Sequence, residues 1–389
     1  MIALLTLTLA FAADGDEALV QADLGGHIKS FYVASFPYES EVFPSEPSGV
    51  GIVDGRLNLK VDVGSHLQFE AHHSLTLSPG SGGSSGVLSA GVATTAPELM
   101  PLTWEAVDEP SLLFRGRVDR LSARVSVPHL DVTVGRQAIS FGSGAFFTPL
   151  DLVSPFTPAV IDQEYKPGVD AARVDVYAGM SGQITAVAAY AGDWDADGVV
   201  VAAYGQGTVG VTDLGAFAGL VRGDWVGGVS VVSALGPVGV HGDLTVSKPD
   251  DDAFVRAVLG ADWRPTGTTT LSAEAYVQTL GGAVPSEYAT FASGPRFATG
   301  ELWLTGRTYA GLAWMQEVTP LISTNLAVIG NIEDPSAFII PSVDWSLAGD
   351  VALQAGGYVG VGSRPDGAEL RSEFGTYPVT GFLRVSAYF

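Results

Sequence analysis

Hydrophobic and polar residues alternate with a period of two along much of this chain. In residues 53–62, VDGRLNLKVD, the apolar side chains fall on one face and the charged or amide side chains on the other. The same alternation returns in residues 67–75 and 270–278. Because successive side chains of a β-strand point to opposite faces, the pattern predicts strands with one apolar and one polar face.

The connections between these segments are of two kinds. The segments themselves are about ten residues long, which suits a tilted strand that crosses a bilayer. Some connections are short, as around Gly64, whereas residues 78–110, 141–166, 279–305 and 362–377 form long loops. Short turns at one end and long loops at the other are typical of an outer-membrane barrel. The sequence therefore predicts an all-β fold, a transmembrane antiparallel β-barrel of about 18 strands. The alternative is 16 strands, because bacterial barrels use even numbers.

Composition narrows the class of protein further. Hydrophobic residues make up 47% of the chain and charged residues 16%, yet the formal net charge is -23. A disordered acidic chain would lack this content of aromatic and β-branched residues. The negative charge disfavours nucleic acid as a partner, since nucleic-acid binding depends on neutralising phosphates. The absence of cysteine excludes disulfides, cysteine-zinc sites and thiol nucleophiles.

Both ends of the chain fit an exported barrel. Residues 1–12, MIALLTLTLAFA, are predicted to be a secretory signal peptide, with the barrel over residues 13–389. The alternative is a buried N-terminal strand or an anchor helix, although the run is too short to span a bilayer. The last residues, GFLRVSAYF, alternate and end on Phe389. This ending resembles that of many bacterial outer-membrane proteins, which implies the Gram-negative outer membrane and recognition by the barrel-assembly machinery.

One segment reverses the acidic balance of the chain. Residues 111–136 carry five arginines and only two acids. Arginine near the middle of a lipid-facing surface costs a few kcal/mol, so these side chains are expected to point into the lumen. Strict alternation cannot place Arg115, Arg117, Arg120 and Arg124 all on the inner face. A β-bulge near Asp119 and Arg120 would resolve this conflict, and the alternative is that Arg124 reaches the membrane interface near the turn at Pro128. By the same reasoning Arg136 reaches the lumen only through a bulge near Gly135.

The predicted pore-lining set follows from these positions together with neighbouring strands. Its cations form a basic wall that would attract anionic or hydroxylated solutes. The alternative is that the arginines pair with acids such as Asp119, Asp131 and Asp175 and brace the barrel wall. Both interpretations remain open from the sequence. The set comprises Arg56, Lys60, Arg115, Arg117, Arg120, Arg136 and Arg173, with Asp151 facing them from the loop at residues 141–166.

Acidic residues concentrate in the predicted loops, where they would form a solvated rim that divalent cations bridge to lipopolysaccharide. Residues 193–198, DWDADG, have the Asp-x-Asp-x-Asp-Gly spacing of calcium loops. Asp193, Asp195 and Asp197 would supply the ligands, but Tyr204 stands where such loops place a bidentate glutamate. A plain acidic hairpin is the alternative, and no other cofactor is predicted.

The sequence carries little that suggests an enzyme. Glu70, His72 and Ser74 share one face of a predicted strand, but strand neighbours that point the same way do not by themselves form a relay. The chain lacks a metal-binding histidine pair and a phosphate loop. Residues 82–86, GGSSG, have the Gly-x-Ser-x-Gly spacing, but they lie in a predicted Gly/Ser-rich loop and not in a strand-to-helix elbow. We therefore predict that the protein is not an enzyme.

The loop at residues 141–166 and the strand before it carry a family resemblance. The motif comprises GRQAISFG at 135–142, followed by Phe147, Pro149-Leu150-Asp151 and Pro155. It is similar to a motif of Gram-negative porin-like barrels related to the alginate-export type, with Phe141 where that group often has Trp. The preceding strand, with Arg115, Arg117 and Arg120, also resembles the arginine-rich strand of that family. The resemblance covers residues 110–175 and implies passive passage through an outer membrane, without identifying a substrate.

Together these features predict an outer-membrane channel for passive diffusion of small hydrophilic solutes, anions included. Its partners would be these solutes, the surrounding lipid and lipopolysaccharide. The loop at 141–166 would fold inward as a constriction. The first alternative is a closed barrel that serves as a surface receptor or adhesin, and the second is an outer-membrane hydrolase.

Overall fold

The computed structural model describes residues 7–12, 18–38, 46–80, 97–155, 162, 164–367 and 369–389. Within these residues an antiparallel sheet closes into a barrel of 18 strands, which confirms both the predicted fold class and the predicted strand number. Each barrel strand pairs with its neighbours in sequence, so the barrel is a series of hairpins. No helix in the described ranges is long and apolar enough to span a bilayer.

Twenty strands contribute to the sheet, because two short ones supplement the 18 of the barrel. Two short helices, Tyr288–Ala292 and Pro295–Ala298, lie in one of the loops. The strands are β1 (Leu7–Ala12), β2 (Ala18–Phe36), β3 (Ser48–Val63), β4 (Leu67–Pro79), β5 (Thr103–Glu109), β6 (Leu112–Val127), β7 (Leu130–Gln137), β8 (Val169–Ala178), β9 (Gly182–Tyr190), β10 (Val199–Val209), β11 (Thr212–Val221), β12 (Asp224–Leu235), β13 (Val238–Lys248), β14 (Phe254–Thr266), β15 (Thr269–Gln278), β16 (Thr308–Thr319), β17 (Ile322–Asn331), β18 (Ser336–Ala348), β19 (Val351–Val361) and β20 (Val379–Tyr388).

The barrel closes between its first and last strands. β2 pairs with β20 from His27 opposite Tyr388 to Phe36 opposite Val379. β1 pairs only with the first half of β2, outside this seam, so closure does not depend on it. β1 lies within the predicted signal peptide, and removal of residues 1–12 stays a prediction.

The outer surface of the barrel is apolar and the inner face is mixed. Ile28 and Leu57 point outward and are 52% and 50% exposed, whereas their neighbours Lys29 and Arg56 point inward and are buried. This is the alternation that the period-two pattern predicts, with the apolar face turned towards lipid. Three tryptophan side chains lie exposed towards the strand ends, as in the aromatic girdles of membrane barrels: Trp225, Trp263 and Trp345.

A β-bulge brings the arginines of β6 to one face. The register between β4 and β6 shifts so that His72 faces Arg120 while His73 faces Val118, and Asp119 is the extra residue. Arg115 and Arg117, before the bulge, and Arg120, after it, therefore share the inner face. The bulge predicted near Asp119 and Arg120 is confirmed.

The connection between β7 and β8, residues 138–168, folds into the barrel, and we call it the inner loop. Its side chains Ile139, Phe147, Leu150 and Leu152 are at most 1% exposed. They pack against inward-facing side chains of the wall in two apolar clusters. Burial of this apolar surface explains why a chain segment rich in Phe, Leu and Val leaves the wall. The predicted inward loop is confirmed, although part of it, residues 156–161 and 163, lies outside the described residues.

The chain begins to leave the barrel wall at Gly135, two residues before the end of β7. Its φ is +116°, a conformation that side-chain-bearing residues rarely adopt. A Cβ at this position would lie 2.2 Å from the carbonyl oxygen of Leu121. The register between β6 and β7 continues unshifted through Gly135, so the bulge predicted there is wrong. The backbone changes direction through the glycine instead.

Replacing Gly135 with alanine is therefore expected to destabilise the barrel. The positive φ and the overlap with the Leu121 carbonyl together are expected to cost about 1–3 kcal/mol. Gly55→Ala is the matched control, because a Cβ at Gly55 meets nothing within 4 Å. Urea unfolding of both variants in detergent micelles measures the difference. Equal free energies of unfolding would show that Gly135 is not required at this bend.

Candidate functional site

The inner loop leaves a gap in the barrel wall, and Arg136 fills it. β7 pairs with β6 only from Leu130 to Arg136, and above this point β5 takes over the edge of β6. Between the two strands, the guanidinium of Arg136 donates to the carbonyl oxygens of Val118, at 2.9 Å, and Met100, at 2.7 Å. A side chain thus supplies the hydrogen bonds that a continuous strand would supply from its backbone.

Two carboxylates hold this guanidinium in place. Arg136 Nε and Nη2 donate to Asp170 at 2.9 and 2.8 Å, and Nη1 lies 3.2 Å from Glu98. Asp170 also accepts the backbone N–H groups of Leu99 and Met100. Arg136 is fully buried, so it does not line the open lumen as predicted. Because the register between β6 and β7 continues unshifted, Arg136 lies on the same face as Val134, and the segment before β5 covers it there.

The first half of the inner loop is fixed to the wall by two buried carboxylates. Asp243 on β13 accepts the N–H and the hydroxyl of Ser143, both at 2.8 Å. Glu274 on β15 accepts the N–H groups of Ala145, Phe146 and Phe147 at 2.6, 3.0 and 3.0 Å. Both acids were missed at the sequence level, where Glu274 was only one of several polar positions on an alternating strand.

The last part of the inner loop contacts the opposite side of the barrel. Lys29 on β2 lies 2.8 Å from Asp162 and 2.6 Å from Glu164. The ring of Tyr165 lies under the Arg56 guanidinium at 4.0 Å and its hydroxyl accepts from Asn58 at 3.2 Å. β3 lies halfway around the ring from β13, so the described parts of the loop are fixed to two facing walls. Lys29, an essential part of this contact, was also missed at the sequence level.

The cations predicted to form the basic wall lie beside carboxylates. Arg56 and Arg120 both contact Asp119, each at 2.7 Å, and Asp119 also accepts the N–H of Gly168. The structure thus brings Arg56 and Arg120 together at the base of the inner loop. The remaining members each lie near an acid: Arg115 near Glu105 at 4.0 Å, Arg117 near Glu98 at 3.2 Å, Arg173 near Asp175 at 2.8 Å and Lys60 near Asp62 at 3.7 Å.

Asp151 does not face the basic wall through Arg136, contrary to the prediction. It is buried and forms a short ion pair with Lys166 of the same loop. Burial lowers the pKa of the Lys166 ammonium, and the Asp151 carboxylate acts in the opposite direction. The pair therefore connects the two halves of the inner loop. For Asp151, this contact favours a structural role over a role in attracting solutes.

Some charged groups on the inner face remain open to water. The side chains of Lys60 and Asp62 are 50% and 32% exposed, and Glu70 is 36% exposed. Arg173 retains 27%. These residues lie on the half of the strands near the short turns. The lumen there is wide enough to hold water and carries charges of both signs.

The acidic segment 193–198 forms a compact turn. Asp195 Oδ1 accepts the N–H groups of Asp197 and Gly198 at 3.1 and 2.9 Å, and Asp193 Oδ1 accepts that of Trp194. No group of three metal-ligating side chains converges among the residues that the structure describes. Calcium binding by Asp193, Asp195 and Asp197 would require these carboxylates to turn towards one another, and it stays a prediction.

His72 is engaged by charged neighbours. Its Nδ1 lies 3.0 Å from Arg56 Nη2, and its Nε2 lies 2.9 Å from Glu70. Both ring nitrogens therefore have partners other than Ser74, which faces Arg56 and Arg117 across the sheet. The geometry does not provide the serine-to-histidine contact that a hydrolase relay requires.

Comparison with solved structures places the fold. OccAB4 of Acinetobacter baumannii is 8% identical with a TM-score of 0.61, over 95% of this chain and 98% of that one. OccAB1 of the same organism is 9% identical with a TM-score of 0.61, over 95% and 96%. Pseudomonas aeruginosa OpdK, solved with vanillate, is 12% identical with a TM-score of 0.60, over 95% and 98%. At these identities the likeness shows a shared barrel fold.

No family model matches the sequence, and no curated protein matches it either. The coarser part of the family resemblance, a porin-like barrel, agrees with the structural neighbours. The relation to the alginate-export type stays a prediction.

Replacing the Arg136 guanidinium at the wall gap with an ammonium is expected to destabilise the protein. Arg136→Lys cannot reach Val118, Met100 and Asp170 together, because an ammonium lacks the planar fork of arginine. The lysine keeps the positive charge but leaves buried acceptors without a donor, which costs about 1–3 kcal/mol for each acceptor, and we expect a loss of that order in the free energy of urea unfolding. Arg264→Lys, at an exposed position next to a short turn, is the control. Unchanged stability of the Arg136 variant would mean that the gap does not need this side chain.

Proposed function

We propose that the protein is an outer-membrane channel through which small hydrophilic solutes diffuse passively. The observation that carries this proposal is the inner loop, fixed to facing walls of a barrel whose short-turn half keeps charged inward side chains in water. Such a loop narrows a lumen while the wall remains intact. The structural neighbours are outer-membrane porins, which supports the channel and the Gram-negative outer membrane as its location.

The preference for anions is a finer part of the proposal. Lys60 and Arg173 are the more exposed cations of the basic wall, and they would attract anions entering from the short-turn side. The acids beside them reduce this field. We therefore propose a modest anion preference that originates from these two side chains.

The proposed partners follow from the surface of the barrel. Lipid would cover the apolar outer belt, and lipopolysaccharide would lie against the acidic rim. Phe389 exchanges two backbone hydrogen bonds with Gly26, at 2.8 and 3.0 Å, beside the β2–β20 seam. An aromatic residue at this seam is a suitable recognition point for the barrel-assembly machinery before the seam closes.

Two other functions predict different experimental results. A closed barrel that acts as a receptor or adhesin would carry no steady current across a planar bilayer. A hydrolase would lose activity on substitution of His72, whose ring nitrogens contact Arg56 and Glu70. Steady single-channel current from the purified protein is the result that supports the channel.

Loosening the inner loop is expected to raise single-channel conductance and its noise. In Glu274→Gln an amide NH₂ replaces one acceptor that now receives backbone N–H groups, and bonds to a charged acceptor contribute about 1.5–3 kcal/mol each. Asp350→Asn, at an exposed turn, is the matched control. If Glu274→Gln has the same conductance as the control and the wild type, the loop does not narrow the lumen.

Neutralising the exposed cations is expected to shift selectivity. Lys60→Gln and Arg173→Gln together should lower the anion-to-cation permeability ratio, because they remove two positive charges from a wall that retains its acids. Reversal potentials under a salt gradient measure this ratio. Lys248→Gln, in which the lost ammonium bonds to exposed rim carbonyls, serves as the control. A ratio that does not move would exclude these cations as the source of anion preference.

A further inference from the structure

A cavity of about 350 Å³ lies below the inner loop, on the side of the lumen formed by β10 to β12. This volume lies within the range of roughly 300–1,000 Å³ in which proteins bind small organic ligands. The cavity is separate from the basic wall, which lies on β3, β6 and β8. Its polar lining comes from Ser143 of the inner loop, Ser181 of the turn between β8 and β9, Tyr204, Gln206 and Thr208 of β10, Asp213 of β11 and Ser230 of β12.

The lining groups are mostly neutral and combine hydrogen-bond donors with acceptors. Hydroxyl and amide groups both donate and accept, as the hydroxyls of a sugar do. Some already form an ordered polar surface: Thr208 donates to Asp213 at 2.6 Å and Gln206 donates to Gln183 at 3.0 Å. The described residues that line the cavity include one carboxylate and no lysine or arginine. An anion would meet Asp213 without a compensating cation, whereas a neutral polyol would not be repelled.

Tyr204 is held in a fixed position at this cavity. A Cβ at Gly215 would lie 2.1 Å from the Tyr204 hydroxyl oxygen, so the tyrosine ring lies across the wall only because this residue is glycine. Phe141 of the inner loop packs against the ring with centroids 5.1 Å apart. A rigid aromatic with a polar tip orders no additional side chain when a ligand binds, which favours binding.

We propose that this cavity is a binding subsite for a neutral, polyhydroxylated solute of about the size of a single sugar ring. The proposal rests on the channel function and specifies one class of solute for it. The two sides of the lumen then differ: the β3, β6 and β8 side presents paired charges, and the β10 to β12 side presents hydroxyls and an amide. Tyr204 would contact the solute, and Gly215 would position Tyr204.

The test compares two probes of similar size and ring structure that differ in charge: glucose, which is neutral, and glucuronate, which is an anion. Each is titrated into the full-length barrel in detergent and binding is measured by saturation-transfer NMR. We expect glucose to bind about tenfold more tightly than glucuronate, because the carboxylate of glucuronate would meet Asp213. Tyr204→Phe and Gly215→Ala should each weaken glucose binding about three- to tenfold, because each substitution removes or displaces one hydrogen bond to the solute. Asn325→Ala, which removes an inward amide on β17, is the control and should leave glucose binding unchanged.

The outcomes separate this subsite from the channel function. Glucuronate binding as tightly as glucose, or Gly215→Ala binding glucose like the wild type, would overturn the subsite. Gly215→Ala keeps every polar group, so its effect on binding tests the position of Tyr204 specifically. Conductance is measured on the same preparation in planar bilayers. Current without glucose binding rejects the subsite alone, whereas glucose binding without current rejects the channel and leaves the subsite supported.

Discussion

Strand β7 ends after eight residues, and the chain then turns into the lumen. In a bilayer every exposed backbone N–H and C=O must find a partner, because lipid offers none. The wall therefore needs substitutes where β7 is missing. β5 pairs with the upper edge of β6, and the Arg136 guanidinium, held by Asp170 and Glu98, bonds to the carbonyls that remain. The inner loop depends on these substitute hydrogen bonds, since without them its departure would leave an unpaired edge in the barrel wall.

The inner loop itself is fixed by buried charge. Burying a carboxylate is unfavourable unless several donors surround it. Glu274 meets that condition with three backbone N–H groups and His241, and Asp119 with two arginines and the N–H of Gly168. Lys29 with Asp162 and Glu164 completes the attachment on the opposite wall. Much of the charge within the barrel thus positions the loop, and a smaller part remains in contact with water.

The sequence predicts the face on which a residue lies better than the partner that it meets. Alternation predicted the strands, counting the alternating segments indicated their number, and the parity of the β6 arginines predicted the bulge at Asp119. The inward loop was predicted from the sequence of residues 141–166 and from the family resemblance. The same reasoning failed at Gly135, because a positive φ redirects a chain without shifting its register. It also missed Asp243 and Glu274, which meet the inner loop from about 100 and 130 residues away, a pairing that periodicity does not encode. β5 escaped notice because a short strand in a polar segment resembles a loop.

Asp243 and Glu274 bind the inner loop chiefly through its main chain, from Ser143 to Phe147. Every residue other than proline offers the same N–H donor, so the attachment depends little on which side chains the tip of the loop carries. Apart from the Ser143 hydroxyl, which bonds to Asp243 and also lines the proposed subsite, no side chain of this segment takes part in these two attachments. Substitutions at the exposed Ala145 can therefore change the surface of the loop while the loop keeps its place. In a channel of the proposed kind, single substitutions there would change which solutes pass without altering the wall.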